Sequence, residues 1–297
     1  MTKTAWVFPG QGSQTVGMQG DLLEIPAAKQ KFDLAEQILG WSVEQVCQSD
    51  SEKLSRTLYT QPCLYVVECA IADLLRENGQ VPDLVAGHSL GEYIALYTAQ
   101  VYDFEAGLRL VKRRAELMDT ASGGKMVALV GFDREKLQQV IDNTAGVVLA
   151  NDNSEGQVVI SGTPKAVDTV VEQVKTKRAV ALKVGGAFHS PLMATAAAEF
   201  ETELESVSFQ DAKMPVLSNV EPVPTVEATE LKNRLVRQMT GSVRWREIMQ
   251  YLGAEGIEKV LEVGPGKVLT GLLKRAYKEI ELKNVTNVTD VKSCFSP

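Results

Sequence analysis

A serine hydroxyl becomes a useful nucleophile when the backbone exposes it and a base takes its proton. Gly87-His88-Ser89-Leu90-Gly91 answers the first requirement. Asp83-Leu84-Val85-Ala86 reads as the end of a short buried strand, and Glu92-Tyr93-Ile94-Ala95-Leu96-Tyr97 reads as the opening of a helix. A serine on so sharp a turn needs small residues two positions to either side, and the first helical N–H groups then point at the space above its hydroxyl. The competing reading is a plain glycine-containing turn.

The chain has 2 histidines. His88 is the neighbour of Ser89, and on a tight elbow adjacent side chains diverge. His189, in Gly185-Gly186-Ala187-Phe188-His189-Ser190-Pro191, precedes a helix that Ser190 caps and Pro191 opens, so its loop can present an imidazole to a cleft. By elimination His189 is the base; its alternative is a structural histidine. No Asp or Glu is an obvious third member, since Asp142, Asp152 and Asp168 all fall in an apparent insert. A backbone carbonyl could orient the imidazole instead, which weakens a hydrolase reading.

Arg114 is the most telling charge. At about 100° per residue, a helix over Asp103 to Asp119 gathers Gly107, Leu110, Val111, Leu117 and Met118 on one face, with Arg114 in their middle. A buried guanidinium needs an anionic partner. Helix geometry leaves two partners equally open: a protein carboxylate in a structural bridge, or a carboxylate on a substrate. The loop Gly10-Gln11-Gly12-Ser13-Gln14 lacks the spacing of a dinucleotide loop and reads better as close-approach backbone, with Gln11 available to an oxyanion. Lys175, Lys177 and Arg178, like Lys274, Arg275 and Lys278, read as solvated basic surface.

The elements that must hold these residues alternate. Thr4 to Phe8 is a strand ending at the glycine loop, Tyr65 to Arg76 an amphipathic helix leading to the strand before Ser89, and Val260 to Val263 a strand followed by a Gly264-Pro265-Gly266 turn and a helix over Lys267 to Lys274. This is an α/β pattern with a mainly parallel sheet. The middle differs: strand Lys125–Val130, a helix capped by Asp133 to Ile141, strands Gly146–Ala150 and Gln157–Ile160 joined by a loop over 151–156, a helix opened by Thr163-Pro164 to about Lys175, and strand Arg178–Val184. The order β-α-β-β-α-β predicts a ferredoxin-like insert. It would occupy 124–186, between the flexible pairs Gly123-Gly124 and Gly185-Gly186, with 1–123 and 187–297 forming the larger domain.

Composition sets the bounds. With 44% apolar and 23% charged residues among 297, the chain has the makings of a globular protein with a sizeable core. A net charge of −7 disfavours nucleic acid and anionic membranes. No apolar run approaches a membrane span, and Pro9 and its glycines replace a signal-peptide core. Cys47, Cys63, Cys69 and Cys294 have neither metal-ligand nor disulfide-framework spacing, which suits a reducing compartment. No cofactor or metal is expected, and the expected location is cytoplasmic.

The combination resembles one family, the malonyl-CoA:acyl carrier protein transacylases. The matching pieces, in family order from about residue 5 to 280, are Phe8-Pro9-Gly10-Gln11-Gly12-Ser13-Gln14, Gly87-His88-Ser89-Leu90-Gly91-Glu92-Tyr93, the arginine of Arg113-Arg114, Asn151-Asp152-Asn153-Ser154, Phe188-His189-Ser190, Ser218-Asn219-Val220 and Glu262-Val263-Gly264-Pro265-Gly266. The resemblance implies a hydrolase-like α/β domain carrying a ferredoxin-like βαββαβ subdomain. It implies that Ser89 is acylated, that His189 is its base, and that the backbone carbonyl of Gln238 orients the imidazole. It further implies an oxyanion hole from the N–H groups of Gln11 and Leu90, a malonyl-carboxylate site at Arg114, pocket positions at Asn151 and Asn153, and malonyl selectivity from the bulk of Phe188. The implied reaction carries malonyl from malonyl-CoA to the phosphopantetheine thiol of acyl carrier protein in a ping-pong cycle that feeds fatty acid synthesis. Residues 281–297 fall outside the resemblance and read as a mobile tail. Two rivals remain: a serine hydrolase or thioesterase delivering the acyl group to water, and a non-catalytic acyl-carrier-binding scaffold.

Overall fold

The structure, a computed structural model, describes residues 2–49 and 51–295. One sheet is parallel throughout, in the order β7-β2-β1-β8-β9, with β1 at Thr4–Phe8, β2 at Leu84–Gly87, β7 at Val216–Leu217, β8 at Lys259–Val263 and β9 at Glu281–Val285. Successive residues of a strand face opposite sides of its sheet. Accordingly Trp6 and Phe8 join one apolar core, while Ala5 and Val7 join a second. Both faces are covered, which is why β1 and β2 are almost continuously apolar.

The helix before β2 runs Thr57–Glu77, longer than expected, and is buried on nearly every side from Thr57 through Leu75. The amphipathic reading is thus corrected. This helix lies between the parallel sheet and the flanking helices Pro26–Leu39 and Phe104–Thr120, so it has no solvent face for most of its length.

The second sheet is antiparallel, in the order β4-β5-β3-β6, from β3 (Lys125–Phe132), β4 (Val147–Ser154), β5 (Gln157–Gly162) and β6 (Thr176–Ala181). With helices Arg134–Asp142 and Pro164–Gln173 between the strands, this is the ferredoxin-like arrangement. Asp133 and Thr163 cap those helices by accepting from the N–H groups of Lys136 and Ala166. Gly124 N–H donates to Gly185 O at 3.2 Å, so the two chain crossings lie side by side.

Three expectations are corrected here. The loop over 151–156 is mostly strand: β4 continues to Ser154 through two register shifts, leaving Glu155-Gly156 as the turn. Pairing overrides the polar composition, because Asn151, Asp152 and Ser154 each still face a β5 partner. The final strand lies at Thr176–Ala181 rather than Arg178–Val184, its register being set by pairs running from Phe132↔Thr176 to Val127↔Ala181. The segment expected to be a tail is built into the fold. β9 pairs with β8 from Lys259↔Glu281 to Val263↔Val285, and helix Val288–Ser293 buries Val288 and Val291. Ser296 and Pro297 lie outside the described residues. No described helix is long and apolar enough to cross a membrane.

Candidate active site

Ser89 takes φ +52°, a left-handed conformation that costs a non-glycine residue about 1–3 kcal/mol. The neighbouring glycines have no alternative. A Cβ on Gly87 would lie 1.9 Å from the Gly91 carbonyl carbon, and one on Gly91 would lie 2.0 Å from Phe8 O. The turn brings the end of β2, the end of β1 and the start of the Gly91–Thr98 helix into backbone contact. This is the elbow geometry that lifts a serine hydroxyl clear of a sheet.

Ser89 Oγ lies 2.8 Å from His189 Nε2. The other ring nitrogen, Nδ1, lies 3.0 Å from Gln238 O and 3.1 Å from Gly241 O. Two carbonyls can only accept, so Nδ1 carries the hydrogen and Nε2 presents its lone pair to the serine. Burial, and next the charge of Arg114, pull the imidazole down to a pKa of about 3. His189 is therefore neutral in the resting site at physiological pH.

Arg114 is 1% exposed. Its guanidinium donates to Gln61 Oε1 at 2.8 Å, to Ser89 Oγ at 3.0 Å and to Gln238 Oε1 at 3.2 Å, and it stands 5.3 Å from the centroid of the Tyr93 ring. Every one of these partners is uncharged. Among the described residues Arg114 forms no salt bridge, and its Nε has no partner. Of the two partners left open by the sequence, the protein carboxylate is not there.

A cavity of about 210 Å³ opens over these groups, between the elbow and the antiparallel sheet. Gln11, Leu90, Asn151, Asn153 and Phe188 line it together with Ser89, Arg114 and His189. Gln238 lies behind the wall and enters through its carbonyl. The Gln11 side chain is occupied, donating to Thr57 Oγ1 at 3.0 Å. Among the described residues the backbone N–H groups of Gln11 and Leu90 are taken up by no turn or cap carbonyl. Asn153 Oδ1 sits 2.8 Å from His88 Nε2, with the His88 ring packed against Trp245. Asn151 Oδ1 is buried at the cavity wall without a partner among the described residues. Between these two asparagines, Asp152 receives Arg134 and Arg246 at 3.0 and 2.9 Å, and Arg246 sits on helix Trp245–Ala254, which packs against the parallel sheet.

Several residues acting here escaped the sequence reading as actors. Gln61 holds Arg114 from within the buried Thr57–Glu77 helix, where it is one of several buried polar residues and nothing in the sequence singled it out. The side chains of Gln238, Asn219 and Glu92 hold the elbow from below. The last two stood inside quoted motifs with no role attached, because their partners lie 127 to 146 positions away.

Comparison with known proteins identifies the family and the fold. The acyl transferase domain family model matches residues 5–295. A malonyl CoA-acyl carrier protein transacylase from Synechocystis sp. is 57% identical, over 98% of this chain and 99% of that protein. One from Bacillus subtilis is 41% identical over 95% and 92% of the respective chains. The crystal structure of the Synechocystis malonyl-CoA:ACP transacylase superposes with a TM-score of 0.96 at 57% identity, covering 98% of this chain and 99% of that one.

Proposed function

The chain belongs to the malonyl-CoA:acyl carrier protein transacylase family, and we propose that it moves malonyl from malonyl-CoA to the phosphopantetheine thiol of acyl carrier protein, in the cytoplasm, for fatty acid synthesis. One observation carries the substrate assignment: a buried guanidinium with only neutral partners, 3.0 Å from the serine that would be acylated. A free carboxylate on the acyl group supplies the missing charge.

Ser89 Oγ attacks the thioester carbonyl while His189 Nε2 takes its proton. The tetrahedral oxyanion falls to the N–H groups of Gln11 and Leu90. Collapse breaks the carbon–sulfur bond, and the imidazolium returns the proton to the departing CoA sulfur. The carrier-protein thiol then repeats the sequence in reverse on the Ser89 ester. The Gln238 and Gly241 carbonyls hold the imidazole in the correct tautomer throughout without a third acid. Asn151 and Asn153 line the pocket from the antiparallel side, and Phe188 narrows it against a branched acyl group. The division into 124–186 and the remainder is a working one: the smaller unit contributes a wall, and the larger contributes every reacting group.

Intact-mass measurement after brief mixing with malonyl-CoA tests this reading. One malonyl adduct should appear on the wild type and none on Ser89→Ala, and carrier protein in its phosphopantetheinylated form should then remove the adduct. An adduct retained on folded Ser89→Ala would move the nucleophile elsewhere. Release of malonate to water faster than transfer would establish the hydrolase.

A further inference from the structure

Ser89 has a positive φ, and backbone pairing gives its peptide groups a single bond, Glu92 N–H to Ser89 O at 3.2 Å. Side chains supply the rest. Ser89 N–H donates to Asn219 Oδ1 at 2.7 Å, and Asn219 Nδ2 donates to Gly87 O at 2.6 Å, so one amide clamps the two peptides that flank His88 and lead into the serine. Ser89 O accepts from Gln238 Nε2 at 2.9 Å. The two amides meet at one atom: Glu92 Oε2 accepts from Gln238 Nε2 at 2.7 Å and from the Asn219 backbone N–H at 3.1 Å. All three residues are at most 1% exposed.

The orientation of the Gln238 amide is forced by its neighbours. Arg114 has donors alone, so it must face Oε1; the Glu92 carboxylate and Ser89 O are acceptors, so they must face Nε2. Gln238 therefore touches every part of the site. Its backbone carbonyl orients His189, its Oε1 holds Arg114, and its Nε2 holds the Ser89 peptide. Of the three neighbours that fix this amide, Glu92 is the one that lines neither the cavity nor the reacting atoms.

We infer that Glu92 is a positioning residue that acts through Gln238 and Asn219 to hold the strained Ser89 elbow, and with it the Arg114 guanidinium, in the reactive arrangement. The inference rests on Ser89 being the nucleophile. What Glu92 supplies is acceptor geometry: removing it leaves two buried donors unsatisfied and frees the Gln238 amide to turn.

The test is single-turnover acylation by malonyl-CoA, read as rate constant and half-saturating concentration. Glu92→Leu should lower the rate constant on the order of tenfold to a hundredfold, the usual effect of a misplacement near 1 Å, with half-saturation little changed. Glu92→Gln keeps an acceptor oxygen at the same place and should recover most of the lost rate. Should Glu92→Leu fail to fold, Gln238→Leu keeps the backbone carbonyl to His189 and removes only the relay. It should slow acylation and also narrow the preference for malonyl-CoA over acetyl-CoA. A wild-type rate constant in folded Glu92→Leu or in Gln238→Leu overturns the inference, as does failure of Glu92→Gln to recover activity or a loss seen wholly in half-saturation. A wild type that is never acylated at Ser89 would instead overturn the nucleophile assignment.

Discussion

Two arginines of this molecule are equally buried, at 1% exposure, and have opposite surroundings. Arg234, on the Ala228–Gln238 helix, bridges Glu221 at 3.0 Å, pairs with Glu230 four residues before it, and donates to Val223 O. Its charge is neutralised by the protein at all times. Arg114 meets amides, a hydroxyl and an aromatic ring. Burial alone therefore separates nothing; the kind of partner does. A cation whose protein partners are all neutral keeps its appetite for an anion, and here that appetite is directed at the acylation site. A cation already bridged to carboxylates is part of the scaffold.

The comparison breaks first at Arg114→Ala. Malonyl-CoA should lose on the order of a hundredfold to a thousandfold in acylation relative to acetyl-CoA, because the discriminating charge is gone. Parallel acylation rates with the two thioesters measure it. Equal loss of both, with an earlier thermal transition, would put Arg114 in the same class as Arg234.

His189→Ala should slow acylation of Ser89 on the order of a hundredfold or more, the usual contribution of a general base. A near-normal rate in a rapid-quench experiment would take His189 out of the mechanism. Next in size is Arg234→Ala, the scaffold half of the comparison. It should lower unfolding free energy on the order of 1–3 kcal/mol, from charge-assisted bonds lost at a buried position, and leave the malonyl-to-acetyl ratio untouched. Denaturant titration alongside the paired rates reads both; a shifted ratio would erase the contrast.

The last effect lies in pH dependence. With a folded pKa of about 3, His189 stays neutral where an unfolded chain would protonate it near 6.5. The unfolded state then binds the extra proton, so stability falls as pH drops between those values, by up to about 1.4 kcal/mol per pH unit from this group. His189→Ala should flatten that part of the stability profile. The same slope in both proteins would mean that other groups dominate acid unfolding.

Local signals read well from the sequence where a short stretch contains its own physics. The glycines around Ser89 are demanded by contacts within the elbow and with β1, and the Asp133 and Thr163 caps act on N–H groups three residues away. Reading failed where burial came from distant chain. Thr57–Glu77 lost its solvent face to flanking helices, Asn151 and Asp152 were drawn into β4, and Glu281–Val285 became a strand because β8 offered it an edge.

By itself, then, the amino-acid sequence determined the alternation of elements, the ferredoxin-like order of the insert, the strained turn at Ser89 and an arginine on an apolar helix face. Each follows from sterics or periodicity over a few residues. Only the tertiary structure decided that Arg114 would find no carboxylate among the described residues, that the helix-end carbonyl of Gln238 would meet His189 across 49 positions, and that Glu92, Asn219 and the Gln238 side chain would close beneath the serine. Those outcomes depend on which donors and acceptors packing brings within about 3 Å of each other. No window along the chain contains that information.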